Sequence, residues 1–351
     1  MPVTAYITLR RTGLWLGVAL MAFGWGVNAG DETLEPLTIN WYHGAEYFQP
    51  VVDAFVEETG IEVVVADDYD TFTTDVIMVS DYKGLLEAKH YHQFKKFESD
   101  FWAEMSEIVP AELRDDQGYW LGYAIRVRTA LTNRNAVDDE DRPRTYMDLA
   151  DPKWKGRMTQ RQATNVYNRS MVAYMIARYG ERAATEWARG IVENVGDGQY
   201  LNDVKIAFAV AEGQYDIGFS NTYYLGYVPD WYYDEPETLS TMNDNLEITW
   251  LDGDHGVFGN VTGVAISSWI EDGDEKQARA QELIRFLLSK RGQELMSQHV
   301  FKYPVRDDAE PGDFIKNHGP FKMDDFNVND LRYHYDTADR IMRDAGWEGA
   351  W

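Results

Sequence analysis

Cysteine is absent from the 351-residue chain. That excludes disulfides, thiolate metal ligation, thiol nucleophiles and thioether lipid anchors. Lysine is scarce, with 12 residues, and all basic side chains total 33 against 59 acidic ones, a formal charge of -26. So large a negative excess makes nucleic acid and anionic membrane surfaces poor partners. It suits a cationic ligand or a salty environment. Common catalytic signatures are missing too: no G-x-S-x-G elbow, no Gly-rich phosphate loop and no H-E-x-x-H. The seven histidines are scattered. Their one close pair, His90 and His92, stands at a helix end beside Lys95 and Lys96 and reads as a surface turn. Carboxylates are so numerous that no pair of them is informative. The chain reads as a binder, not an enzyme.

What is present begins with export. Arg10 and Arg11 are the only charged side chains before Gly30. An apolar run from Gly13 to Val27 follows, too short for a comfortable membrane span of ~20 residues, and Val27-Asn28-Ala29 supplies a cleavage site. Residues 1–29 therefore read as a signal peptide, by the general or the twin-arginine route. Without a cysteine for lipidation, the mature protein is expected to be free in the periplasm and monomeric. A hydrophobic fraction of 44% with 14% aromatics argues for packed domains, and the length allows two or three of them.

Alternating patterns indicate an α/β sheet. Leu37–Tyr42, Ile61–Ala66 and Asp75–Val79 are strand-like, with helices expected at Pro50–Glu58 and Tyr82–His90. Tyr119–Thr132 is a longer, aromatic-rich strand. Thr145–Gly156 is a short helix plus turn. Helical spacing covers Asn168–Tyr179, Glu181–Asn194 and Asp203–Glu212, and Tyr215–Phe219 and Val257–Ser267 are strands. Glu275–Val300 reads as one amphipathic helix. Ligands of such sheets sit beyond the carboxyl ends of strands, where the loop Tyr42–Tyr47 lies.

Tyrosine is the unusual residue, with 22 copies. Most single loop tyrosines cap a core edge. The doublet Tyr223-Tyr224 differs, because a strand and then Asn-Thr precede it where a helix can start. Both hydroxyls could converge there, near a helix N-terminus that favours negative charge. A phenol of ordinary pKa ~10 ionises at neutral pH only under a strong pull, such as a trivalent cation. Hard cations in turn prefer anionic oxygen.

The segment Ser220–Gly226 (SNTYYLG) resembles the most distinctive motif of the periplasmic ferric-ion-binding proteins of ABC uptake systems. Thr145–Arg157 (TYMDLADPKWKGR), Asn165–Ser170 (NVYNRS), Tyr119–Arg128 and Phe301–Val305 (FKYPV) are similar to further stretches of that family. The resemblance implies a two-lobed periplasmic-binding-protein fold of type II, with a ligand cleft between the lobes. The expected division is 30–125 plus 258–351 for the first lobe and 126–257 for the second, with a hinge near 124–128 and 257–263. It further implies capture of Fe3+ by Tyr47, Tyr167, Tyr223 and Tyr224 and delivery to an ABC permease. Arg126 or Arg128 would offset charge or hold a small anion such as carbonate.

The first lobe departs from the family pattern. Its loop reads Tyr42-His43-Gly44-Ala45-Glu46-Tyr47, with Glu46 where histidine is usual and Ala45 where arginine is usual. Glu46 is either a hard-oxygen ligand or a solvent-facing charge. His43 is displaced from the usual histidine position. The link Ala66–Thr74 is shorter than in relatives. These departures keep open a small organic ligand, or another metal, on the same fold.

Overall fold

A computed structural model describes residues 34–41, 44–66, 73–162 and 165–347. The signal segment, His43 and most of the Ala66–Thr74 link fall outside these residues. Strand β1 (Leu37–Asn40) leads to Gly44, which takes a φ of +85° that a side chain would resist. Helix α1 (Ala45–Thr59) follows and stops at Gly60 in the left-handed conformation. Strands β2 (Val63–Ala66) and β3 (Val76–Val79) run parallel to β1 on either side of it. Then come α2 (Tyr82–His90), capped by Asp81, and α3 (Ser99–Ser106).

The long strand β4 (Leu121–Asn133) is buried along all 13 residues. After it come β5 (Met158–Arg161), α4 (Val166–Val195), β6 (Gln199–Tyr200), α5 (Asp203–Ala211) and β7 (Ile217–Asn221). Next are α6 (Tyr224–Trp231), α7 (Pro236–Asn245), β8 (Leu246–Thr249) and β9 (Gly259–Ile266). The chain finishes with α8 (Glu275–Leu288), α9 (Lys290–Val300), α10 (Asp313–Asn317) and α11 (Tyr335–Asp344).

The strands form one curled sheet in the order β2-β1-β3-β9-β4-β7-β5-β6, with β8 also on β4. Strand β4 changes partners midway. Its Leu121–Val127 half pairs with β9, whereas Arg128–Asn133 pairs with β7 and β8. The two halves of the sheet therefore meet at adjacent residues, Val127 and Arg128. Apolar faces of α1, α8 and α9 cover the first half through Phe48, Val52, Phe55, Leu283, Leu287 and Met296. Helix α4, with α11 packed along it, brings Tyr174, Trp187, Ile341 and Met342 into a second core. Each such side chain contributes roughly 1.5–3 kcal/mol on burial.

Two expectations need correction. Helix α1 starts at Ala45, not Pro50, so Glu46 and Tyr47 stand in its first turn instead of a loop. Proline is so favourable at a first helical position that it masks an earlier start. The segment 275–300 is two helices broken at Ser289, whose ψ of 159° is extended and whose hydroxyl caps α9 by accepting from the Gly292 amide. Apolar spacing continues across the break, so periodicity alone does not reveal it. By contrast, the expected separation near residue 180 is real: Gly180 kinks α4 at φ 84°, ψ 160°. His90 and His92 are exposed, as a surface turn requires.

Candidate metal-binding site

The tyrosine doublet is set by the end of β7. Buried Asp203 accepts from the Ser220 hydroxyl at 3.0 Å and the Asn221 amide at 2.9 Å, and from Arg161 Nη1 at 2.6 Å. The Thr222 amide bonds the Val127 carbonyl, tying the next turn to β4. Tyr223 caps α6 and Tyr224 opens it. Their rings stack with centroids 4.4 Å apart.

Tyr167 comes from the first turn of α4, where the Asn165 side chain accepts from its amide. The Tyr167 and Tyr223 hydroxyl oxygens lie 3.4 Å apart. Two phenols 56 positions apart in the chain thus converge on one point. Arg126 lies over the Tyr167 ring at 4.4 Å and Arg161 at 5.7 Å. Arg126 is held by Asp81 at 3.3 Å. Asp81 also accepts from Ser170 and Asn260, so α2, α4, β4 and β9 share one buried carboxylate.

Tyr47 joins by its ring, which meets Tyr227 edge-on at 4.5 Å. Tyr227 in turn packs against Tyr223 and Phe301 and donates its hydroxyl to the Val300 carbonyl at 3.2 Å. The Asp230 carboxylate acts on Tyr47 through its negative charge. Glu46 is exposed and folds back over Gly44, where an added Cβ would lie 2.5 Å from its Oε1. The structure therefore brings Tyr167, Tyr223 and Tyr224 together directly and Tyr47 through Tyr227. Glu46 stands at the helix start, beside Tyr47.

Electrostatics set the resting state. Burial pushes Tyr47 up to about 12, and the Asp230 and Glu46 charges add to it. Burial raises Tyr223 and Tyr224 further, with Tyr167 reinforcing both, while Arg126 opposes the shift at Tyr223 and Arg161 at Tyr224. These three phenols are protonated at neutral pH. Asp81 and Asp203 pair with Arg126 and Arg161, whereas Arg128 and Lys302 have no carboxylate within ion-pair reach among the described residues. Burial lowers Arg128 from 12.5 to about 10. Burial, with the Arg126 charge second, also pushes Lys302 well below the usual lysine range.

Arg126 Nε, Arg128 Nε and Nη1 and Asn221 Nδ2 are buried without a hydrogen-bond partner among the described residues. Those three residues line a cavity of about 10 Å³ together with Tyr167, Met171, Phe258 and Asn260. The donors suit an anion, and the room suits a single water. No group of three or more histidines and carboxylates is placed to hold a metal among the described residues. The side-chain oxygens that the fold brings together here are phenolic.

Sequence reasoning missed Tyr227, Lys302 and Asp203. Tyr227 was accessible in principle, since it follows Tyr223 by four residues and so shares its helix face. Lys302 and Asp203 carry no local signal, because their partners are far along the chain.

A model of the bacterial extracellular solute-binding protein family matches residues 72–327. Iron uptake protein A1 of Synechocystis is 29% identical, over 91% of this chain and 89% of its own length. Among solved structures, Mannheimia haemolytica ferric iron-binding protein A in an open conformation superposes with a TM-score of 0.80 at 25% identity. It covers 90% of this chain and 100% of its own. Trichodesmium IdiA (FutA), in complex with iron and citrate ligands, gives 0.77 at 27% identity, covering 89% of this chain and 100% of its own. No helix of the described residues is long and apolar enough to cross a membrane.

Proposed function

The chain belongs to the bacterial extracellular solute-binding protein family, with its two-lobed α/β fold, and from that premise we propose that it captures ferric iron with tyrosine phenolates. The observation that carries this reading is the 3.4 Å approach of the Tyr167 and Tyr223 hydroxyls, with Tyr224 stacked alongside. The relatives named for iron uptake, for ferric iron binding and as an iron and citrate complex support an iron cargo. Binding, not catalysis, is the activity.

The proposed ligands are Tyr167, Tyr223 and Tyr224 from one side of the cleft and Tyr47 from the other. A ferric ion displaces their protons, and the resulting phenolates supply the hard anionic oxygen it prefers. The exposure of Glu46 and its fold over Gly44 argue for leaving it outside the set. An anion such as carbonate at Arg126 and Arg128 finds orphaned donors there, but would have to enlarge the one-water cavity.

The lobes are taken as 30–125 plus 258–351 and 126–257. The partner exchange of β4 at Val127 and Arg128 supports a hinge there. Export by residues 1–29, a periplasmic, monomeric life and handover to an ABC permease complete the reading. The test is direct. Ferric salt added to the apo-protein should raise a visible phenolate-to-iron absorption band, accompanied by one equivalent of iron on elemental analysis. If Tyr223→Phe with Tyr224→Phe leaves that band intact, the assignment is wrong. An organic molecule in place of iron in the purified protein would favour the small-ligand alternative.

A further inference from the structure

Lys302 follows Phe301, which closes α9 in the left-handed conformation with φ 59°. It is only 2% exposed. Its Nζ lies 4.9 Å from the Trp41 ring centroid and 5.5 Å from that of Tyr223. Lysine is almost never this buried unless it is paired. Among the described residues, four cationic side chains gather at the phenols: Arg126, Arg128, Arg161 and Lys302. Two buried carboxylates answer them, Asp81 on Arg126 and Asp203 on Arg161. Lys302 and Arg128 have no carboxylate within ion-pair reach among the described residues. Of these two, Lys302 lies over the ring of a proposed ligand, whereas Arg128 stacks on Phe219.

We infer that Lys302 is a positioning residue for the loaded site, the built-in counter-charge to its phenolates, and that it makes bound iron easier to reduce. The inference rests on the ferric-phenolate reading. Replacing four phenol protons with one Fe3+ changes the charge of the site by minus one. Reduction to the ferrous ion changes it by minus one again. A positive neighbour stabilises the product of each step. Its attraction to the Tyr223 ring also grows as that ring gains negative charge. The Trp41 ring, also within cation–π reach of the ammonium, holds it in place without neutralising it. The buried lysine thus favours both loading and reductive unloading.

The test uses the full chain loaded with ferric salt and follows the phenolate-to-iron band by spectroelectrochemistry. Lys302→Met keeps the length and apolar stem but removes the charge. It should shift the ferric–ferrous equilibrium toward ferric by on the order of tenfold, about 59 mV for one electron. Its apo form should unfold at a higher temperature, because a buried charge is gone. A purely structural role predicts the opposite stability change and no change in potential. Lys302→Arg should keep the parent potential. An unchanged potential in Lys302→Met overturns the inference, and so does an equal shift in Lys302→Arg. The two readings fail separately. If Tyr223→Phe with Tyr224→Phe keeps the band, the phenolate site and the role of Lys302 fall together. If that double variant loses the band while Lys302→Met leaves the potential unmoved, only the role of Lys302 falls.

Discussion

Phenols buried beside one another are poor acids, and that property governs how this site would take and release iron. Desolvation raises Tyr47, Tyr223 and Tyr224, and the neighbouring phenols and carboxylates add to it. All three therefore hold their protons well above neutral pH. Each proton must leave before its oxygen can bind a ferric ion. Raising the pH makes that release easier, so affinity rises with pH and falls in acid. The expected slope is about tenfold in affinity per pH unit for each phenol displaced. Competition with a chelator of known proton demand, between pH 6 and pH 8, measures it. A flat profile would mean that no phenol is deprotonated on binding. The same desolvation that weakens the acids strengthens the final complex, because water cannot compete for the metal or screen its charge.

At the scale of elements, the contact between α6 and the end of α9 matters most. Gly226 of α6 lies directly under the Phe301 ring, and a Cβ there would sit 2.2 Å from its Cγ. The next residue, Tyr227, donates its hydroxyl to the Val300 carbonyl. Only a glycine lets the helix approach so closely. Gly226→Ala must push Phe301 away, and with it the packing of Phe301 on Tyr47 and Tyr227. The expected cost is about 1–3 kcal/mol of stability, as for other overpacked sites. Iron should also pass to a chelator about tenfold faster, because Tyr47 loses the Phe301 surface that holds it against Tyr227. Thermal unfolding and stopped-flow release check the two parts. Parent-like release would detach this contact from iron retention.

For the whole molecule, the change of partners along β4 is the organising feature. One strand belongs to both halves of the sheet, and on the proposed hinge small twists at Val127 and Arg128 would swing the halves without breaking either ladder. On the proposed reading, ligands from both lobes would make iron itself the closing agent. Small-angle scattering should show a smaller radius of gyration after ferric salt is added, and no change for the Tyr223→Phe, Tyr224→Phe variant. Identical curves with and without iron in the parent would argue against closure. The charge of -26 plays no direct part in ligation, since the phenols are neutral in that count. It resides largely on exposed carboxylates, where salt screens it within about 10 Å at 0.1 M.

The order of strands and helices was legible in the sequence because burial leaves a periodic mark: the α2 and α4 patterns, the Gly180 kink and the strand before the doublet all read correctly. The zero cysteine count left oxygen and nitrogen as metal donors, and SNTYYLG singled out one pair of phenols. The start of α1 and the break at Ser289 escaped, because a proline and a continuous apolar face mimic other arrangements. The convergence of Tyr167 on Tyr223, the Asp203 anchor and the burial of Lys302 between Trp41 and Tyr223 belonged to the tertiary structure alone. Such contacts join residues far apart in the chain. Their chemistry depends on desolvation and on distances of a few ångströms, and neither quantity exists until the chain has folded.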